Sequence, residues 1–146
     1  MATPNGLNPS FDSITTTSAA SGINAALSTH TPTAINATAT ATAAQVKTGY
    51  ITSTSAAATT ITLPTGTLLG AALGAVQGTI HELYVDNTAG ASTVTIAVST
   101  NGILSTAAAD SAGSFGDLTV ASGATGLARY TIMFSSATAF AFTRTA

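Results

Sequence analysis

The stretch TIHELYVDNTAGASTVTIAVS, residues 79–99, contains the clearest strand and turn signals in the chain. In its second half Val94, Ile96 and Val98 alternate with small or hydroxyl residues, the period of a half-buried strand. Its first half, residues 79–86, is a second candidate strand. The DNTAG segment at residues 86–90 between them has turn-forming composition. The stretch therefore predicts an antiparallel β-hairpin with a loop of about four or five residues.

Further strands are predicted on both sides of this stretch. A final hairpin is predicted from residues 127–135 and 138–144, because Tyr130, Ile132 and Phe134 share one face of the first strand. Residues 68–76 have helical spacing and predict a short helix or a buried loop. About eight strands with little helix predict an all-β antiparallel sandwich, jelly-roll-like, with an immunoglobulin-like sandwich second. The other predicted strands are residues 46–52, 59–63, 103–106 and 118–121.

The composition changes near Ala44 and divides the chain into an N-terminal arm, residues 1–44, and a sandwich domain, residues 45–146. The arm contains an ATATAT repeat and few large apolar side chains, so it buries too little surface to fold alone. We expect it to become ordered against a partner, with a short helix at 18–27; a tail without a role is the alternative. Its candidate contact residues are Phe11, Ile14, Ile23, Leu27 and Ile35.

Charged residues are scarce: 3 Lys and Arg and 5 Asp and Glu, or 5% of the chain, against about 25% in typical domains. So few bases exclude nucleic-acid binding and a polybasic membrane anchor. No apolar run reaches the roughly 18 residues of a membrane span. Residues 1–8 lack a signal-peptide pattern, which predicts a soluble protein made in the cytoplasm. A neutral Thr, Ser and Asn surface repels its own copies weakly and favours assembly.

Catalytic and metal-binding patterns are weak. His81 and Glu82 are neighbours on a predicted strand, so their side chains point to opposite faces. Glu82 and Asp86 share a face but lie roughly 13 Å apart at a strand rise of about 3.3 Å, so a turn-capping role for Asp86 and Asn87 is favoured over calcium binding. We predict no catalytic residue, metal or cofactor, and therefore not an enzyme; a hydrolase is the third hypothesis.

Arg129 and Arg144 fall on the two strands of the final predicted hairpin. Two interpretations have equal weight. Either both side chains are solvent-exposed, or one of them pairs with Glu82 or Asp117 across a subunit boundary and fixes the register of the subunits.

Three segments, TITLP at residues 60–64, ELYVDNTAGASTVTI at 82–96 and GLARYTIMF at 126–134, resemble small structural proteins of tailed bacteriophages that decorate or cement capsids or form head fibres. The resemblance covers about residues 45–146 and implies a homotrimer on the outer capsid surface of the virion, in contact with the major capsid protein. The arm would then bind across capsid subunits. The alternative is a head- or tail-fibre adhesive module that binds host glycan. Such a module needs exposed aromatic platforms, and the chain has no Trp and 3 Tyr.

Overall fold

The computed structural model describes residues 30–104 and 118–146. These residues form ten β-strands, two α-helices and a 3₁₀ turn at Gly123–Thr125. The helices are α1 (Ala43–Lys47) and α2 (Gly66–Leu73). The strands are β1 (Thr33–Ala34), β2 (Ala39–Thr40), β3 (Tyr50–Thr52), β4 (Thr59–Thr62), β5 (Ile80–Asp86), β6 (Val94–Ala97), β7 (Gly102–Leu104), β8 (Thr119–Val120), β9 (Leu127–Ser136) and β10 (Ala139–Arg144).

The strands form two sheets that enclose one hydrophobic core. Sheet A has the order β1-β3-β5-β9-β10-β7, and sheet B has the order β2-β4-β6-β8. Leu83, Val85 and Ile132 from sheet A and Ile61 and Ile96 from sheet B are fully buried in the same core. The strands at the sheet edges have only two or three residues each, which limits the edge that another strand can pair with.

The first six strands alternate between the two sheets along the chain. As a result β1, β3 and β5 pair in parallel in sheet A, and β2, β4 and β6 pair in parallel in sheet B. Parallel neighbours require a crossover connection, and here each crossover runs through a strand of the opposite sheet. Antiparallel pairing appears only where β9 joins β5 and β10, and where β8 joins β6, among the described strands.

The predicted hairpin at residues 79–99 does not form. β5 pairs with β3 and β9, whereas β6 lies in the other sheet and pairs with β4 and β8. The turn after Asp86 carries the chain from one sheet to the other. The prediction of an all-β antiparallel, jelly-roll-like sandwich is therefore wrong: both sheets are mixed, and two helices are present. Alternation identifies a strand and its buried side, but it carries no information about the strand's partner.

The predicted final hairpin is confirmed. β9 and β10 pair antiparallel, with Phe134 opposite Phe140 and Tyr130 close to Phe142 across the strands. The rings of Tyr130 and Phe142 stack with their centroids 4.8 Å apart, and those of Phe134 and Phe140 lie 5.6 Å apart. Cross-strand aromatic pairs of this kind stabilise an antiparallel register.

Local capping explains two further differences from the predicted elements. The predicted strand at residues 46–52 is divided, because Thr42 and Gln45 form a capping box that starts α1, and β3 begins only at Tyr50. The helix-or-loop segment at residues 68–76 is the helix α2. Thr65 caps its N-terminus, and Gly74, with φ 64°, ends it in the left-handed conformation.

The described residues from Thr31 onward form one compact unit, so the structure places residues 31–44 with the sheets rather than apart from them. Ile35 is 7% exposed and belongs to the core, and the Ile35 N–H donates to the Thr52 carbonyl. The other candidate arm contacts, Phe11, Ile14, Ile23 and Leu27, lie outside the described residues. So do the predicted helix at 18–27, the predicted loop at 107–116, and Asp117.

Candidate functional site: the outer face of sheet A

The outer face of sheet A is the face turned away from the core. It carries most of the charged side chains and most of the exposed large apolar side chains of the described residues. In β5 the buried Leu83 and Val85 alternate with the outward Glu82, Tyr84 and Asp86. Of the five charged residues in the described ranges, three lie on this face: Glu82, Asp86 and Arg129. Among the described residues, charged side chains and exposed large apolar side chains are therefore concentrated on this face.

An apolar row crosses four strands at one end of this face. Ile80 of β5 lies opposite Met133 of β9, which lies opposite Ala141 of β10, which lies beside Ile103 of β7. Ile80 is 61%, Met133 49% and Ile103 63% exposed. Single exposed apolar residues are ordinary on protein surfaces, but a contiguous set marks an interaction site. We call these four residues the apolar row.

A second row, formed by Tyr50, Tyr84 and Arg129, crosses the other end of the same face. Tyr84 is four residues beyond Ile80, so the two rows are separated by about 13 Å at the usual strand rise. Next to this row lies a cleft of about 240 Å³ lined by Tyr84, Leu127, Arg129 and Ala146. We call it the tyrosine cleft. The Tyr84 hydroxyl donates to Glu82 Oε2 at 3.3 Å.

Asp86 lies next to this row, two residues beyond Tyr84 on β5. Its Oδ2 accepts from the Tyr50 hydroxyl at 2.6 Å, and its Oδ1 accepts from the Thr88 hydroxyl at 2.6 Å and from the Thr88 N–H at 2.9 Å. The Thr88 hydroxyl, followed by the Tyr50 hydroxyl, lowers the pKa of Asp86 below its ordinary value. The same carboxylate raises the pKa of Tyr50. The network therefore ties β3, β5 and the following turn together in its charged form.

This network predicts a dependence of stability on pH. Because the pKa of Asp86 is lowered on folding, its contribution is present above the unfolded-state pKa of about 4 and is lost as pH falls through the folded-state value. Tyr50 has the opposite sign: its contribution is present below pH about 10 and is lost as pH rises through its raised pKa. Urea midpoints measured between pH 2 and pH 6 should fall less steeply on the acid side in Asp86→Asn than in the wild type. An unchanged acid slope would contradict the assignment to Asp86.

The two arginines predicted to mark a subunit contact lie on adjacent strands but on opposite faces. Arg129 is half-buried on the outer face. Arg144 is 8% exposed and points inward, where its Nη1 donates to the Thr119 carbonyl at 3.0 Å and links β10 of sheet A to β8 of sheet B. The structure thus uses Arg144 within the chain, and pairing of Arg129 across a subunit boundary stays a prediction.

His81 and Glu82, which were considered as catalytic or metal-binding residues, do not converge on one site. The ring of His81 contacts the Val46 carbonyl through Nε2 at 2.9 Å, on the opposite side of β5 from Glu82. Within residues 30–104 and 118–146, no three His, Asp or Glu side chains are grouped so as to hold a metal ion. In the same part of the chain, no helix has the length and apolarity needed to cross a membrane.

Sequence reasoning missed the apolar row. Ile80, Met133 and Ile103 are far apart in the chain, and only the pairing of β5, β9, β10 and β7 aligns them. A weak signal was present, because Met133 places a large apolar side chain at a position that the alternation of β9 assigns to the solvent side. Comparison of the chain with protein-family models, curated proteins and solved structures finds no match.

Proposed function

We propose that the protein is a structural protein of a bacteriophage virion that binds the outer capsid surface as a homotrimer and cements it. The apolar row carries the assembly part of this proposal, since three large exposed apolar side chains are aligned on a flat sheet face. The phage context comes from the resemblance of residues 60–64, 82–96 and 126–134. The partners are the major capsid protein and further copies of the chain.

The energetics of the apolar row favour association. Complete burial of a fully exposed Ile or Met side chain contributes about 1.5–3 kcal/mol. Since Ile80, Met133 and Ile103 are 49–63% exposed, burial of each in a contact contributes about half of that value. No charged residue lies in the row itself, and the charged residue next to it along β5 is Glu82, two residues from Ile80. The row is also held rigidly, because each member sits in a hydrogen-bonded strand; little conformational entropy is lost on binding.

The proposal assigns no catalysis to the chain. His81 serves as a link between β5 and the carbonyl of Val46 in α1. Arg144 joins the two sheets, and Asp86 stabilises a turn. These side chains have structural tasks that account for their presence in a chain of low charge.

Substitution of Met133 by lysine tests the assembly role. A charge at the centre of the apolar row should weaken self-association and capsid binding by about 3 kcal/mol, or about 100-fold. Sedimentation velocity measures the trimer, and co-sedimentation with capsids that lack the protein measures binding. The matched control is Leu68→Lys on α2, since Leu68 is 59% exposed and lies outside the row. Unchanged trimer and capsid binding in Met133→Lys would overturn the proposed role of the row.

The arm is tested separately by removal of residues 1–29. A longer deletion, to residue 44, would remove β1 and β2 and the core residues Ile35 and Ala41, so it would confuse docking with folding. The shorter chain is expected to remain a folded trimer and to lose binding to capsids. Retained capsid binding would contradict a docking role for these residues.

A further inference from the structure

We propose that the tyrosine cleft is a binding site for a neutral sugar ring. The cleft lies at the opposite end of sheet A from the apolar row, and the inference does not depend on the assembly role proposed above. It rests on the combination of an aromatic residue, an exposed aliphatic side chain, a guanidinium and nearby carboxylates on one rigid surface.

The apolar part of the cleft suits the C–H face of a pyranose. Tyr84 and Leu127 both line it, and Leu127 is 54% exposed although it is large and aliphatic. Aromatic side chains in binding sites combine a large apolar surface with a polar tip. The volume of about 240 Å³ is below the range of about 300–1,000 Å³ of pockets for drug-sized ligands. The cleft therefore fits one ring rather than a large ligand.

The polar part of the cleft suits hydroxyl groups. Arg129 donates from Nε to Thr145 Oγ1 at 3.3 Å, and its other guanidinium nitrogens make no hydrogen bond to the residues that the structure describes. A guanidinium presents its donors in a fixed fork, which matches two neighbouring sugar hydroxyls. Glu82 lies beside Tyr84 on the same face but outside the lining of the cleft, and its Oε2 accepts from the Tyr84 hydroxyl.

The charges around the cleft select against anionic ligands. Glu82 and Asp86 lie on the same face as Arg129, one on each side of Tyr84 along β5. Two carboxylates beside one guanidinium leave the neighbourhood with a net negative charge, so a phosphate, sulfate or uronate is repelled. A ligand that offers donors and acceptors without net charge is favoured, and this describes a neutral sugar.

The backbone holds these groups in place before any ligand binds. The Arg129 N–H donates to the Ala146 carbonyl at 2.8 Å, and the Thr145 N–H donates to the Arg129 carbonyl at 2.8 Å. Tyr84 lies in the centre of sheet A, between β3 and β9. A site built on rigid strands loses little entropy on binding, which favours recognition by a small number of contacts.

The full chain should be applied to an array of neutral hexose and N-acetylhexosamine oligosaccharides beside sialylated and sulfated ones. A neutral glycan retained on the array is then titrated in solution against wild type, Arg129→Gln and Leu127→Ser. We expect each variant to bind about tenfold more weakly. Both changes are on exposed or half-buried positions, and the thermal midpoint checks that each variant is folded. Leu68→Ser on α2 is the control and should bind like the wild type.

Three results would overturn the sugar site: no neutral glycan bound at about 1 mM, preference for the acidic glycans, or full binding by both cleft variants. Sedimentation of Arg129→Gln separates this proposal from a subunit contact, because a sugar site predicts an intact trimer. Loss of both the trimer and sugar binding in Arg129→Gln would place Arg129 in a subunit contact and would also overturn the site. Met133→Lys is expected to leave sugar binding unchanged.

Discussion

Replacement of Asn87 with alanine is expected to lower the free energy of unfolding by about 3–4 kcal/mol. The Asn87 side chain is fully buried at the turn between β5 and β6. Its Nδ2 donates to the Ser92 carbonyl at 2.8 Å, to the Ala121 carbonyl at 3.0 Å and, more weakly, to the Val120 carbonyl at 3.3 Å.

Asn87 has this effect because it links the turn to strands of both sheets. Its side chain bonds the turn to the end of β8, and its backbone N–H donates to the Gly126 carbonyl just before β9. Alanine at position 87 would remove the donor of three hydrogen bonds, of which the bond to Val120 is buried and those to Ser92 and Ala121 are partly buried. It would also leave a cavity in place of the amide.

Equilibrium urea denaturation measures this loss, with Ala89→Ser as the control in the exposed part of the same turn. Asn87→Asp separates the two causes, since aspartate fills the same volume but has no N–H to donate. We expect Asn87→Asp to be at least as destabilising as alanine, because it also buries a charge. A stable Asn87→Asp variant would show that volume, and not hydrogen bonding, matters at this position.

Replacement of Gly70 with alanine is expected to destabilise the protein by about 2–3 kcal/mol. The usual effect in a helix has the opposite sign, since alanine is favoured over glycine by about 1 kcal/mol. Here a Cβ at position 70 would overlap the backbone carbonyl of Ala137, in the turn between β9 and β10, and would lie 3.3 Å from the Phe134 ring. A backbone carbonyl cannot rotate away as a side chain can, so α2 or the turn must shift.

Thermal and urea denaturation of Gly70→Ala, compared with Gly74→Ala, test this contact. Gly74 has φ 64°, and no heavy atom lies within 4 Å of the position that a Cβ would take there, so its substitution costs only the backbone strain of about 1–2 kcal/mol. Gly66→Ala should resemble Gly70→Ala, because its Cβ would lie 2.8 Å from the Asn101 carbonyl oxygen. A Gly70→Ala variant as stable as the wild type would show that α2 does not pack closely on the turn.

The candidate site was only partly predictable from the sequence. The scarcity of charge in the sequence marks Arg129 and Arg144 equally. In the structure Arg129 lies on the outer face of sheet A beside Tyr84, whereas Arg144 points inward to Thr119. Neighbouring residues of a strand point to opposite faces, so a shift of one residue in register moves a side chain to the other face. β10 has such a shift between Ala139 and Phe140, and it places Arg144 opposite the buried Tyr130. The apolar row depends on registers across four strands, which local patterns do not encode.

Alternation and turn residues in the sequence located β3 to β10 and predicted the β9–β10 hairpin, but they did not reveal β1 and β2, which lie in the segment predicted to be an arm. Side chains alternate across a strand, and a short turn joins neighbours that can pair locally. The passage of the chain at Asn87 from β5 to the other sheet, in place of a hairpin, is visible only in the folded structure. That outcome depends on hydrogen bonds from Asn87 to residues 120, 121 and 126, more than thirty positions away. Contacts at such separations have no local signature, and they are what made the sheets mixed and aligned the outer face.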